Sequence, residues 1–278
     1  MPAGTLYVVA TPLGNLGDLT PRAAEILRRV EVVAAEDTRR TRGLLTHLGA
    51  SPRLLSFHQH SDAQRLETLV DMLIDGRDVA LVSDAGTPIV SDPGADLVAA
   101  VRAAGGSVVP IPGVSAVATA LSVCGLDGDR YLFLGFVPRK GGERSRLLGR
   151  AAAEEWPVVF FEAPTRLVAL LEDLAAITGP DRQAFVAREL TKLHEELRAG
   201  TLEDLIRYFS VQEPRGEITV VVAGADAAAP PPDRTAEAIE LASGWLAEGM
   251  SRRDVIERLI GKLGIPRNEA YRRVMELP

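Results

Sequence analysis

The chain has 278 residues, of which 46% are hydrophobic, and this is enough for one large or two medium-sized domains. Its net charge of −7 excludes a surface that is basic overall, and 5% aromatic residues leave few side chains for stacking single-stranded bases. One cysteine, Cys124, excludes an intramolecular disulfide and a cysteine-rich zinc site, and its apolar neighbours predict a buried thiol. We expect a soluble cytoplasmic protein, because the sequence has neither a signal-peptide pattern nor an uninterrupted apolar segment of membrane-spanning length.

Strand-like and helix-like patterns alternate through the first half of the chain. The predicted strands are residues 6–10, 30–34, 79–83 and 107–111, and the predicted helices are 21–29, 62–75 and 93–104. Pro21 suits a first helical turn, with Thr20 as its N-cap. Alternation with short turns indicates an α/β domain, residues 1–126, built on a mostly parallel sheet.

The pattern begins again after a glycine- and aspartate-rich segment and predicts a second α/β domain, residues 127–224. Its predicted strands are 131–137, 157–161, 184–188 and 217–222, and its predicted helices lie near 144–154, 164–177 and 202–209. An alanine- and proline-rich linker, residues 225–234, follows it.

The last segment, residues 235–278, predicts a small module shaped like a helix-turn-helix. Its predicted helices are 235–248, one that Ser251 and Asp254 begin as a capping box, and 267–277 after a tight turn at 263–266. From Ser251 onward it has seven Arg or Lys against four Asp or Glu, a local charge of +3. Contact with phosphate and dimerisation are equal alternatives for this module.

Three turns rich in glycine and proline follow predicted strands, at residues 10–18, 83–88 and 110–116. Glycine lets backbone N–H and C=O groups approach a ligand, and proline holds the shape of a loop. Because ligands of open α/β sheets bind outside the carboxyl ends of the strands, three such loops predict one shared small-molecule site. Ordinary strand-to-helix turns are the alternative.

Common phosphate-binding and catalytic motifs are missing from the sequence. There is no Gly-Lys-Ser/Thr loop and no Gly-x-Ser-x-Gly elbow, and the first loop offers only Gly14 and Gly17 of a dinucleotide fingerprint. The four histidines include no i, i+4 pair of ligands, so we predict no metal site. A cofactor without phosphate, bound largely by main chain, fits these loops, and S-adenosylmethionine is such a molecule.

Seven motifs, in order along the chain, resemble one protein family. They lie at residues 11–18, 36–39, 83–94, 110–116, 160–166, 188–195 and 267–271. Together they resemble the ribosomal RNA methyltransferase branch of the tetrapyrrole (corrin/porphyrin) methylase superfamily, over essentially the whole chain. The loops at 10–14 and 83–86 differ from the Gly-x-Gly-Pro-Gly and Gly-Asp-Pro loops of the superfamily's small-molecule members.

The resemblance implies a fold, an activity and a set of cofactor contacts. The fold is a two-domain tetrapyrrole-methylase-like α/β structure, with the cofactor in the cleft between two sheets. The activity is S-adenosylmethionine-dependent 2′-O-methylation of a cytidine ribose in the decoding centre of 16S rRNA. The implied substrate is 16S rRNA within the small ribosomal subunit, and the implied enzyme is a homodimer. By position in the motifs, the implied cofactor contacts are Pro12, Ser83, Asp84, Ala85, Gly86, Ile89, Ser115, Ala116, Glu162 and Gly200.

A ribose hydroxyl must lose its proton during or after attack, so carboxylates at strand ends are candidate bases. Glu36 and Asp37 follow the second predicted strand, and Arg39 lies close enough in sequence to tune their pKa values. The alternative is a helix start, with Asp37 as N-cap and Glu36 in the field of the helix dipole. Glu189 is a further catalytic candidate, with a structural ion pair as its alternative.

A basic segment, residues 139–150, carries five Arg or Lys and one Glu, a local charge of +4. Flanking proline and glycine residues predict a mobile loop, which would fit a lid on RNA backbone. The predicted RNA contacts are Arg139, Lys140, Arg144 and Arg146. The alternative is the solvated start of a helix.

Two other functions stay open at this point. One is a small-molecule methyltransferase of tetrapyrrole type, which has no evident use for the C-terminal module or for the motif at residues 36–39. The other is a non-catalytic regulator that binds nucleic acid through residues 235–278, which leaves the three loops unexplained.

Overall fold

The computed structural model describes residues 3–58, 63–225, 235–247, 249–263 and 267–277. The chain forms two compact units, Met1–Ala225 and Asp226–Pro278. The first unit contains two five-stranded sheets, and the second contains helices. The domain boundaries proposed from the sequence at residues 126 and 224 stay predictions.

The first sheet is entirely parallel, with strand order β3-β2-β4-β1-β5. Its strands are β1 (Thr5–Val9), β2 (Val32–Ala35), β3 (Arg53–Ser56), β4 (Val79–Val82) and β5 (Ser107–Ile111). The helices that connect and follow them are α1 (Pro21–Arg29), α2 (Thr38–His47), α3 (Ala63–Ile74), α4 (Ala95–Ala103) and α5 (Ala116–Val123). Register is set at the centre, where Leu6 of β1 is opposite both Val79 and Val108.

Both faces of this sheet are buried, as its continuous apolar strands require. In β2, Val32 and Ala34 pack into one core with α3 and α4, whereas Val33 and Ala35 pack into another with α1 and α2. α1 begins as the sequence predicts, because the Thr20 hydroxyl accepts a hydrogen bond of 3.2 Å from the Ala23 amide.

The second sheet is mixed, with strand order β6-β7-β10-β8-β9. Its strands are β6 (Leu132–Phe136), β7 (Val158–Glu162), β8 (Gln183–Arg188), β9 (Glu196–Thr201) and β10 (Ile218–Val222). Only β6 and β7 pair in parallel, and the other three pairings are antiparallel. The helices α6 (Gly142–Ala153), α7 (Leu167–Thr178) and α8 (Leu202–Val211) accompany it.

Helix α5 joins the two halves of the first unit. On one face of the second sheet, Val158 and Phe160 pack with α6, α7 and α8. On the other face, Val159 packs with Val117 and Cys124, which belong to α5 and its C-terminal end. This face of the second sheet is therefore held against the helix that follows β5. Cys124 is buried there, as the sequence predicts.

The second unit contains α9 (Thr235–Ala247), α10 (Arg252–Leu263) and α11 (Arg267–Glu276) around its own apolar core. The predicted N-cap of α10 is present, since the Ser251 hydroxyl accepts a 3.2 Å hydrogen bond from the Asp254 amide and donates to the Asp254 carboxylate at 2.6 Å. The predicted linker and most of the predicted turn, residues 226–234 and 264–266, lie outside the described residues. The described helices include none that combines the length and the apolar character needed to cross a membrane.

Several predicted elements change in the structure. The second strand begins at Val32 rather than at residue 30, because Val30 forms the C-cap of α1. The predicted helix at 164–177 opens with a 3₁₀ turn, Pro164–Arg166, before α7. The basic segment expected as a mobile loop is helical from Gly142 onward. The sequence predicted the start of α2 only as the alternative role of Asp37, and it did not predict β3, β9 or α5.

Candidate functional site

A cavity of about 480 Å³ lies between the two sheets of the first unit. Residues that follow β2, β4 and β5, including Glu36, Asp84 and Ser115, form one wall. The opposite wall comes from the ends of β6 and β7 and from the start of β10. We call this the main cavity. The carboxyl ends of the parallel strands thus meet at one ligand-sized space, as expected for an open α/β sheet.

The three glycine- and proline-rich loops are hydrogen-bonded to one another. Thr11 and Gly86 exchange two backbone hydrogen bonds of 2.9 Å, which ties the first loop to the second. The Thr87 hydroxyl donates to the Val114 carbonyl at 3.0 Å and ties the second loop to the third. Gly86 has φ +78°, which suits glycine, and a Cβ there would lie 3.3 Å from Leu13 Cδ2. The loops therefore form one rigid surface along the cavity.

The backbone is strained directly after the second loop. Ile89 and Ser91 have φ values of 77° and 69°, in the left-handed region that a β-branched side chain rarely adopts. Such residues persist only where the surrounding structure holds them, and they are frequent at ligand sites. Ser91 and the following Asp92 line the main cavity.

The lining of the main cavity is strongly acidic. It contains the carboxylates of Glu36, Asp84, Asp92, Glu162 and Glu217 and one guanidinium, that of Arg40. Burial and then the charge of Asp84 raise the pKa of Glu36, and burial and then the charge of Glu36 raise the pKa of Asp92 to about 6. This charge distribution favours a ligand that carries positive charge.

Glu162 is the most buried of these carboxylates, with its residue only 2% exposed. Arg166 binds it at 2.8 Å and also donates to the Val137 carbonyl. The amide of Ala163 donates to the other carboxylate oxygen at 2.7 Å. Glu162 is therefore held in one orientation at the cavity wall.

Asp37 caps α2 instead of facing the main cavity. Its Oδ1 accepts a hydrogen bond of 2.8 Å from the Arg39 amide, and its Oδ2 lies 2.7 Å from the Arg39 guanidinium. These bonds to Arg39 lower the pKa of Asp37 to about 2. Neither residue lines the main cavity. The structure thus gives Asp37 the capping geometry that the sequence left as the alternative, while Glu36 does line the cavity.

Glu189 also lies outside the lining of the main cavity. Its Oε1 accepts hydrogen bonds of 2.8 Å from Lys192 Nζ and 3.0 Å from the Glu217 amide. Its backbone is left-handed, with φ 53°. The observed geometry is the ion pair that the sequence left as the alternative for Glu189.

The predicted cofactor contacts lie in four different places. Those that line the main cavity are Asp84, Ala85, Gly86, Ser115, Ala116 and Glu162. Pro12 and Ser83 line a neighbouring cavity of about 390 Å³, which we call the second cavity. Ile89 packs against the core of the first sheet. Gly200 lies in β9 opposite Ala184, at the far edge of the second sheet, and lines neither cavity.

The predicted RNA contacts are also divided. Arg139, Lys140 and Arg146 are exposed, and Arg146 lies 4.0 Å from Glu143. The Arg144 guanidinium instead binds Asp173 at 2.6 Å and the Pro138 carbonyl at 3.0 Å, which ties the start of α6 to α7. The described residues contain no cluster of His, Cys, Asp or Glu that could hold a metal ion.

Sequence reasoning assigned no role to Asp92 or Glu217 and considered Arg40 only as an extension of the basic RNA-contact segment, whereas all three line the main cavity. The signal for Asp92 was its place in the same motif as Asp84. Glu217 and Arg40 come from opposite halves of the first unit, and only their 3.7 Å contact shows that they belong together.

The fold and the site define a class of protein: two α/β sheets with a ligand cavity between them at the ends of the strands. Solved structures share this fold. The methyltransferase CobJ superposes with a TM-score of 0.62 at 21% identity over 80% of this chain and 95% of its own. A uroporphyrin-III C-methyl transferase from Thermus thermophilus, complexed with S-adenyl homocysteine, superposes with a TM-score of 0.58. The two proteins are 19% identical over 78% of this chain and 97% of that one.

The chain belongs to the tetrapyrrole (corrin/porphyrin) methylase family, whose pattern its residues 5–206 match. It is 43% identical to the ribosomal RNA small subunit methyltransferase I of Synechocystis, over 99% of this chain and 98% of that protein. It is 45% identical to the Escherichia coli O157:H7 protein of the same name, over 80% of this chain and 78% of that protein. The resemblance predicted from the seven motifs is confirmed.

Proposed function

We propose that this protein is an S-adenosylmethionine-dependent methyltransferase that acts on the 2′-oxygen of a cytidine ribose in the decoding centre of 16S rRNA. The observation that carries the proposal is the acidic main cavity at the strand ends, in a chain 43% identical along almost its full length to a small-subunit rRNA methyltransferase. Cytidine, the 2′-oxygen and the decoding centre are the finer parts of the proposal, and they follow the resemblance of the motifs.

The main cavity fits the cofactor in size and in charge. Its volume of about 480 Å³ lies within the usual range of roughly 300–1,000 Å³ for small-molecule sites. When bound, S-adenosylmethionine supplies a methyl group on a positively charged sulfur. The sulfur leaves as a neutral thioether when an oxygen takes the methyl group. Carboxylates around the cavity would stabilise the positive charge, and the backbone of Ala85 and Gly86 would contact the uncharged parts.

The protein's own residues would align the acceptor and remove its proton. The rigid loops hold the donor site in place, and orientation alone can contribute roughly 7–11 kcal/mol to such a displacement. Asp92 and Glu36 are the best candidate bases, because a pKa raised towards neutrality makes a carboxylate a better proton acceptor. With the cofactor bound, its methyl carbon would pass from sulfur to the ribose oxygen, and one of these two carboxylates would take up the ribose proton.

The partners and location implied by the resemblance belong to the same proposal. We propose that the substrate is rRNA within the small ribosomal subunit, that the protein works as a homodimer, and that it acts in the cytoplasm. Exposed apolar side chains such as Leu193 and Val211 offer surface that a second copy would cover. Sedimentation of the purified protein with and without small subunits tests both associations.

Transfer of labelled methyl groups tests the reaction. The protein and labelled S-adenosylmethionine would be incubated with small subunits from a strain that lacks the modification, and the rRNA mapped for a bond resistant to alkali. Label on one cytidine ribose is the expected result. Label on a base contradicts 2′-O-methylation. The small-molecule alternative is correct if the protein binds the cofactor and labels a porphyrinoid acceptor but does not label rRNA.

A further inference from the structure

The second cavity adjoins the main cavity but differs from it in chemistry. Its polar lining includes two cations, Arg40 and Lys192, two carboxylates, Asp84 and Glu217, and the residues Thr11, Thr41 and Ser83. Apolar side chains, among them Pro12 and Leu16, complete it. The charges of this lining balance, unlike those of the main cavity, so it can take a single phosphate if one cation turns to it, beside a sugar and a flat ring.

Leu13, Arg40, Asp84 and Glu217 line both cavities. A ligand in the second cavity would therefore meet a ligand in the main cavity at this common wall. Glu36 and Asp92, the candidate bases, line only the main cavity, on the far side of that wall. An acceptor hydroxyl delivered from the second cavity would reach a methyl donor and its base together.

Of the two cations, Arg40 is held more loosely. Its guanidinium lies 3.6 Å from Asp84 and 3.7 Å from Glu217, which is longer than a charge-assisted hydrogen bond, and its side chain is 59% exposed. Lys192 Nζ is bound at 2.8 Å by Glu189 and at 3.1 Å by Glu217, and its stem packs against Gly14 of the first loop. Arg40 is thus the cation free to turn towards an incoming phosphate, while Lys192 holds the wall.

We propose that the second cavity binds the acceptor nucleotide of the RNA, unstacked from its neighbours, with Arg40 on its phosphate and its ribose at the common wall. This inference rests on the proposed rRNA methyltransferase function. A volume of about 390 Å³ is enough to admit one unstacked nucleotide, whose ribose would then reach the common wall. The scarcity of aromatic side chains in the lining means that shape and phosphate contact, rather than stacking, would hold the nucleotide.

Filling the cavity tests the proposal. Gly43 lies in α2 and lines only the second cavity, and a Cβ added to it meets no atom within 4 Å. Gly43→Phe should keep the cofactor affinity of the wild type but raise the KM for small subunits by more than about tenfold, equivalent to about 1.4 kcal/mol. The matched control is Gly128→Phe, in the exposed connection between α5 and β6, with equally open space and outside both cavities, which should change neither quantity.

A second variant covers the case in which Gly43→Phe does not fold. Leu16 is 45% exposed and lines the second cavity, so Leu16→Glu adds a negative charge at the rim without disturbing the core. It should raise the KM for small subunits and leave the cofactor affinity unchanged. An unchanged KM in the variant that folds overturns the proposal.

Salt dependence tests the role of Arg40. Loss of one phosphate contact lowers the slope of log affinity against log salt by about 0.7 for single-stranded RNA. Arg40→Gln should show this reduction in filter binding of an RNA fragment that contains the methylated site, and an equal slope would remove Arg40 from the phosphate. If the wild type methylates no rRNA, the proposed function fails. If it does, and the filled-cavity variants methylate equally well, only the acceptor pocket fails.

Discussion

At the scale of single residues, Asp92 is the cavity carboxylate whose pKa is raised to about 6, by burial and then by the charge of Glu36. We expect Asp92→Asn to lower the rate of methyl transfer by about 10²–10⁴, because the amide cannot accept the ribose proton. In the wild type, the rate should fall as the pH drops through about 6, where Asp92 becomes protonated. Single-turnover rates from pH 5 to 8, with cofactor affinity measured in parallel, check both statements. A full rate in Asp92→Asn would move the base to Glu36.

The same substitution should stabilise the fold at neutral pH. Burial raises the pKa of Asp92 from 3.8 to about 6, so its protonated form contributes stability that is fully present below 3.8 and lost as the pH rises through about 6. Asparagine is neutral at every pH and avoids that loss. The Tm of Asp92→Asn should therefore exceed that of the wild type at pH 7.5, with a smaller difference at pH 4. Equal differences at both pH values would contradict the ionisation argument.

Asp37 illustrates a residue whose position in a motif suggested catalysis and whose contacts indicate a helix cap. We expect Asp37→Ala to lose stability through the lost cap of α2 and to keep methyl transfer, because its carboxylate binds the Arg39 amide outside the main cavity. Thr20→Ala, which removes the cap of α1, is the matched control and should cost a similar amount. Urea unfolding and rates at saturating substrate separate the two roles. A large loss of rate in Asp37→Ala alone would restore it as a catalytic residue.

At the scale of elements, the pair Glu162–Arg166 connects the end of β7 to the turn before α7. The Glu162 side chain is fully buried, so Arg166→Met would leave a carboxylate without its cation and should cost about 3–5 kcal/mol. The exposed pair Glu203–Arg207 has the same i, i+4 spacing, and Arg207→Met should cost less than about 1 kcal/mol. Chemical denaturation compares them. Equal costs would show that burial does not set the strength of the first pair.

The elements that the sequence predicted are those whose own residues determine them. Strand β4 is apolar throughout, β1 and β10 each contain one threonine among apolar residues, and α1 has both its cap and its proline. Strands β3 and β9 lie at sheet edges and mix charged or polar residues with apolar ones, so their pattern resembles a loop. Helix α5 has apolar residues on more than one face, because Val117 and Ala120 pack against the second sheet while Val123 is exposed, and its sequence therefore lacks a clear polar face.

The candidate site follows the same rule. The three loops could be predicted because each carries its own glycines and prolines. The pairing of Arg40 with Glu217, by contrast, depends on how the two sheets approach each other. The separation of Glu36 from Asp37 depends on the first turn of α2, which directs one carboxylate to the cavity and the other to the helix end. The sequence therefore predicted one catalytic role for both Glu36 and Asp37, whereas in the structure Glu36 lines the cavity and Asp37 caps a helix.

At the scale of the whole molecule, the apolar cores respect the division into two units. Four clusters lie entirely within residues before 226, and the fifth lies entirely within the three C-terminal helices, among the residues that the structure describes.

We therefore expect residues 1–225 alone to fold cooperatively and to bind S-adenosylmethionine with the affinity of the full chain, since every residue that lines the two cavities lies in this unit. Removal of the C-terminal unit, with its local charge of +3 from Ser251 onward, should weaken binding to small subunits and reduce its salt dependence. Calorimetric cofactor titration and co-sedimentation at two salt concentrations measure both effects. Unchanged ribosome binding with a shift from dimer to monomer would instead assign the C-terminal helices to self-association, and loss of cofactor binding would contradict the independence of the units.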